Sequence, residues 1–146
     1  MSAWRREALA TLPELRSFIV EAPEPMALWI DLHIAFENAM HAKNTSLADR
    51  LLRYAAWCFS ARSGVLPNNT STAVACAFYE HLPCNKEFWP SFSAWFSVDE
   101  FTKLLPVFAY HVSPEDLEAL KVVYRKGRPN QALNRTRLRR AGYLGR

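Results

Sequence analysis

The chain predicts an all-α fold, and three observations carry that expectation. Apolar residues recur at helical spacing along most of its length, alternation of β-branched with polar residues is hard to find, and only four glycines occur in 146 residues. Prolines and capping residues then divide the pattern into six to seven short helices with few residues between them. Such helices pack as antiparallel hairpins, in a bundle or an α-solenoid-like stack, although no repeat at a fixed period is evident.

Residues 2–12 form the first amphipathic segment, with Trp4, Ala8, Leu9 and Leu12 on one side. Thr11, Pro13 and Glu14 start a second helix presenting Leu15, Phe18 and Ile19, because proline suits a first turn. Pro25 opens the central helix, residues 26–43. There Met26, Trp29, Ile30, Leu32, Ile34, Phe36 and Met40 spread over more than half the circumference, which predicts a helix enclosed on most sides. Lys43 and Asn44 end it, the asparagine tolerating a left-handed backbone. Thr45 or Ser46 caps a helix to about residue 63, whose core stripe is Leu47, Leu51, Tyr54, Ala55 and Cys58. The short link makes these two helices an antiparallel hairpin. Residues 64–71 read as a loop. Thr72 begins a helix with Val74, Ala77, Phe78 and Leu82, and His81 on its apolar face, ended by Pro83. From Cys84 to Phe96 helical spacing persists around a kink at Pro90. Ser97 and Glu100 form a capping box for a helix bearing Phe101, Leu104, Leu105 and Phe108, bent at Pro106. Ser113, Pro114, Glu115 and Asp116 start the last core helix, with Leu117, Leu120, Val123 and Tyr124, which ends at Lys126.

The totals suit one domain over residues 1–126, followed by a basic, mobile tail over residues 127–146. Residues 1–120 hold 9 basic and 14 acidic side chains, a net charge of −5, whereas residues 121–146 hold 9 basic and no acidic ones. Within that tail, residues 130–141 can form a short helix with Leu133 and Leu138. No apolar run is long enough to span a bilayer and no secretory signal precedes the fold, so the expected location is cytoplasmic, without a membrane partner. Three cysteines, none in a C-x-x-C pair, suit reduced thiols, with Cys58 and Cys76 as small core residues.

Three groups of residues can carry chemistry. In the middle of the central apolar arc stand His33 and Glu37, four residues apart, with His41 one further turn along and His81 on another helix. A carboxylate beside an imidazole is an acid–base pair, and His33, Glu37 and His41 can offer metal ligands from one helix face. The pair reads first as a satisfied core contact, and neither the di-iron nor the zinc-protease spacing is present. The second group is aromatic: Trp89, Trp95 and Phe96, with Phe88, Phe92, Phe101, Phe108 and Tyr110, line a partner groove or form the core of the C-terminal half. The third is the tail, where Arg128, Arg135, Arg137, Arg139 and Arg140 suit a phosphate backbone, with only Tyr143 as a stacking ring. No phosphate loop, nucleophile elbow, metal finger or dinucleotide fingerprint occurs, and no cofactor is implied.

The order of Pro25, Trp29 and Leu32, then Tyr54 and Trp57, then Phe78-Tyr79-Glu80-His81-Leu82-Pro83 resembles a bacterial family of short helical domains of unknown function, over roughly residues 13–120. The resemblance implies a small all-α cytoplasmic protein and supplies no activity or catalytic residue. The expected function is a non-enzymatic protein–protein interaction or accessory module. Its alternatives are a small metal-dependent or acid–base enzyme centred on His33, Glu37 and His81, and nucleic-acid association through the tail.

Overall fold

A computed structural model describes the backbone of residues 1–60 and 67–140, and side chains of residues 1–60 and 70–128. Among the described residues every regular element is helical and none is a strand. The chain gathers into two compact units, Met1–Tyr79 and Glu80–Arg146, where the sequence suggested one body to residue 126. Among the described residues there are eight α-helices, with short 3-10 turns, against the expected six to seven.

The first unit holds α1 (Ala3–Thr11), a 3-10 turn at Pro13–Leu15, α2 (Arg16–Glu21), α3 (Pro25–His41), α4 (Thr45–Phe59) and α5 (Pro67–Val74), which widens into a π-turn at Ala75–Tyr79. Helix α5 begins inside the stretch read as a loop, and residues 61–66 lie outside the described residues. The core is an aromatic stack. Trp29 lies nearly parallel to Tyr54 at 5.5 Å and tilts against Phe78 at 5.1 Å, while Phe36 meets Phe78 edge-on at 5.2 Å. The Tyr54 hydroxyl donates to the Trp4 carbonyl at 2.8 Å, tying α4 to α1. Arg5 donates to the Ile19 and Ala22 carbonyls at the end of α2, and Arg50 reaches the Thr11 carbonyl at 3.2 Å.

The turn between α3 and α4 differs from the expected one. Lys43, at φ 56°, takes the left-handed position, and Asn44 instead caps α4 by accepting from the Leu47 amide at 3.2 Å. The Lys43 amide donates to Met40 and the Asn44 amide to Ala39, which closes α3 as a Schellman motif.

The second unit comprises 3-10 turns at Leu82–Cys84 and Lys86–Ser91, α6 (Phe92–Trp95), α7 (Val98–Phe108) and α8 (Pro114–Arg140). The capping box at Ser97 and Glu100 is present, and Ser113 accepts from the Asp116 amide at 3.0 Å. Phe92 sits among Trp95, Phe96 and Phe108, and Phe101 stacks on Tyr124 at 3.8 Å. The sequence placed the end of the last helix at Lys126, yet α8 continues to Arg140. Packing holds the helix through Gly127: the Tyr124 hydroxyl donates to the Phe96 carbonyl at 2.7 Å, and Arg128 donates to the Ser93 carbonyl at 3.0 Å, one contact on each side of the glycine. A Cβ on Gly127 would lie against Ser93 Oγ and 2.8 Å from Ser93 Cβ, so glycine is required by close approach.

Two measurements follow from this packing. Gly127→Ala should lower stability by about 1–2 kcal/mol although alanine favours helix, and a double-mutant cycle with Ser93→Gly should show strong non-additivity in thermal melts. The Arg50 guanidinium grips both Glu14 carboxylate oxygens at 2.6 Å and holds that carboxyl down to about 2 from its ordinary 4.5. A depressed carboxyl contributes stability above pH 4.5 that is lost as pH falls toward 2. Glu14→Gln should therefore be less stable at neutral pH by under about 1 kcal/mol, the pair being partly exposed, and should converge on wild type as pH falls below 2 in urea melts.

Candidate functional site

Helix α3 has two apolar faces, and only one of them is covered. Leu28, Trp29, Leu32, Phe36 and Ala39 are buried, whereas Ile30 and Ile34 are 54% and 55% exposed, contrary to the expected enclosure on most sides. Ile34, but not Ile30, belongs to the floor of a groove of about 410 Å³. Ile34, Ala35, Asn38 and Ala42 lie along α3 at helical spacing, with Asp31 one turn earlier, and Leu15, Phe18 and Leu47 form the walls. Small side chains on α3 create the depth: alanine at 35, 39 and 42 leaves space that a leucine would fill.

Local sequence places these walls. Prolines at 23 and 25 turn the chain between α2 and α3, and Glu24 caps α3 with both oxygens, accepting from the Met26 and Ala27 amides at 3.0 and 2.9 Å. Phe18 on α2 stays 43% exposed beside the groove. The Schellman turn carries Ala42 and Asn44 to its far end, and Asn44 leads into Leu47. The lining is apolar apart from Asp31, Asn38 and Asn44. Among the described residues no Lys or Arg lines it, and Asp31 enters none of the described ion pairs.

The residues singled out for acid–base chemistry are distributed differently from the expectation. His33 Nε2 lies 3.1 Å from Glu37 Oε1, so these two do meet, but their side chains are 21% and 42% exposed rather than sealed in the core. The His33 ring approaches Phe78 edge-on. His41 is exposed in the last turn of α3. His81, expected to point inward, is exposed and belongs to the second unit, where it stacks on His111 at 4.7 Å. His111 in turn lies 3.4 Å from the buried Glu80 carboxylate. Nothing in the spacing linked residue 111 to residues 80 and 81, since only the fold brings these turns together. Among the described residues no group of three or more His, Cys, Asp or Glu side chains is placed to hold a metal ion.

The aromatic candidates are a core. Trp89 is buried and donates its indole N–H to the Pro83 carbonyl at 2.8 Å, Phe96 is buried against Phe92 and Phe108, and half-buried Trp95 packs on Phe88 and Phe92. Of that set only Tyr110 stands exposed. In the basic stretch, Arg128 is engaged with Ser93 rather than free for a phosphate. The backbone of Arg135, Arg137, Arg139 and Arg140 is helical, their side chains lie outside the described ones, and Tyr143 and Arg146 lie outside the described residues. No helix among the described residues is long and apolar enough to cross a membrane.

No protein-family model, characterised protein or solved structure matches the chain, so geometry alone carries the functional argument.

The cysteines offer a check on which surfaces are open. Burial pushes the Cys58 thiol up to about 12, while Cys76, expected in the core, is exposed, as is Cys84. A thiol reagent should label Cys76 and Cys84 in the native protein and reach Cys58 only on addition of denaturant, read by mass spectrometry of labelled peptides.

Proposed function

We propose that this chain is a non-enzymatic interaction or accessory module, and that its first unit binds a partner protein in the groove between α2, α3 and α4. The observation that carries the reading is the open apolar face of α3 beside Phe18, Leu15 and Leu47. Contiguous exposed apolar surface costs solubility, and where it lines a concave site it marks a place that another molecule covers. The exposure of Phe18 and Ile34 favours a protein segment over an enclosed small ligand, which would be surrounded on most sides.

The acid–base alternative draws less support. His33 and Glu37 form a partly exposed pair, and the lining of the groove includes neither. Nucleic-acid association through the tail is not favoured by the described side chains, because Arg128 is held by a backbone carbonyl.

A photo-cross-linking residue in place of Phe18, expressed in cells, should give a discrete covalent adduct with another protein. The same residue in place of Val98, exposed in the second unit, should not. Ile34→Ser should abolish the adduct while changing folding stability by no more than about 0.5 kcal/mol, as expected of an exposed position. Identical adducts at positions 18 and 98, or none at either, would remove the reading.

A further inference from the structure

Resting on that reading, the charge pattern of α3 says what kind of partner fits. From Pro25 to His41 the helix contains two carboxylates, Asp31 and Glu37, and no Lys or Arg. Glu37 is occupied by His33. Asp31 is half-buried, lines the groove, and enters no ion pair among the described residues. It is the one charged side chain among those lining a site that is otherwise alanine, leucine, isoleucine, phenylalanine and asparagine.

A partner segment that covered this groove with apolar or acidic groups alone would strip water from Asp31 without replacing it, and burying an unpaired carboxylate is costly. A Lys or Arg presented at the edge of an apolar stripe satisfies it. The first unit also offers no sheet edge to which an extended peptide could add among its described residues. Its groove lies between helices, and its floor repeats with helical spacing along α3, which suits the apolar face of another helix. A second copy docking by the same face would bring two acidic, cation-free α3 helices together, a like-charge arrangement that disfavours self-association.

We infer that the α2–α3–α4 groove is a docking site for an amphipathic helix of another protein whose apolar stripe is flanked by Lys or Arg, with Asp31 as the residue that selects the cation. Phe18 and Ile34 supply the apolar contact and Asp31 supplies the register and the charge preference.

The test uses two labelled synthetic helices of equal length and apolar spacing, one built of Leu and Lys and the other of Leu and Glu, titrated against the full chain by fluorescence anisotropy. The Leu/Lys helix should bind at least about threefold more tightly, the scale of a single partly exposed ion pair, and the preference should shrink as salt is raised. Asp31→Asn should bring the two affinities together, and Asp31→Lys should turn the preference toward the Leu/Glu helix. Asp99→Lys, at an exposed acid of the second unit, should leave the preference unchanged. Ile34→Ser should weaken both helices. Equal binding of both helices by the wild type, or a preference untouched by Asp31→Lys, overturns the charge selection while leaving the interaction reading to the cross-linking result. Binding of neither helix also overturns the inference. So does concentration-dependent dimerisation of the wild type in light scattering that Ile34→Ser removes, because the occupant would then be a second copy.

Discussion

The burial of Trp29 between Tyr54 and Phe78 is the constraint on which the first unit depends. At about 100° per residue, turning Trp29 inward fixes the rotation of the whole of α3. Leu32 and Phe36 follow it into the core, and Leu28 and Ala39 lie at the edge of the same arc. Asp31, Ile34 and Asn38 are then carried to the opposite side, roughly 140–200° around the axis, where they line the groove. The indole therefore decides two things together: which residues hold the unit, and which surface is left open. Tyr54 extends the constraint by hydrogen bonding to Trp4, so α1 is fixed by the same stack that orients α3.

Much of this was legible from the chain, and the residues show why the rest was not. Capping chemistry is local, so Ser97, Glu100 and Ser113 marked their helix starts correctly, and the apolar spacing of α4 placed Leu51, Tyr54, Ala55 and Cys58 in the core. Helix α3 was misjudged because periodicity reports how many apolar residues a helix has, not how many neighbours it acquires. Ile30 and Ile34 read like core residues, and only the placement of α2 and α4 reveals that they remain at the surface. For the aromatic run from Phe88 to Phe96 the sequence left a partner groove and a core side by side, and the rings pack as a core. His81 belonged with His111, thirty residues away in a different turn, a pairing that no spacing rule could supply. The last helix was ended at Lys126 because its apolar pattern dissolves there, whereas the close approach of Ser93 makes Gly127 a requirement of packing within a longer helix.

The two units solve the problem of stability differently, and the difference decides what each leaves exposed. In the second, the rings of Phe92, Phe96, Phe101, Phe108 and Tyr124 are turned inward, and its polar ends are tied by Tyr124 and Arg128 to backbone carbonyls. Among its described residues Val98, Tyr110 and Val122 stay exposed outside that core. In the first, the stack of Trp29, Tyr54, Phe36 and Phe78 fills the interior with large rings, and the aliphatic residues Ile30 and Ile34 are left in excess. The fold of the unit does not require that excess, because a serine or lysine at position 34 would serve the isolated unit at least as well.

That asymmetry is the reason the acid at position 31 matters. An apolar groove alone discriminates poorly among apolar partners, since hydrophobic contact is non-directional. A carboxylate at its rim adds direction: it weakens association with acidic or uncharged segments through desolvation and favours those that bring a cation to one place. The alanines at 35, 39 and 42 set the depth, Phe18 and Leu47 set the width, and Asp31 sets the sign of what can lie between them. The facing of Asp31 and of the alanines follows from the rotation imposed by Trp29, so a substitution that reoriented α3 would disturb the core and the open face in a single step.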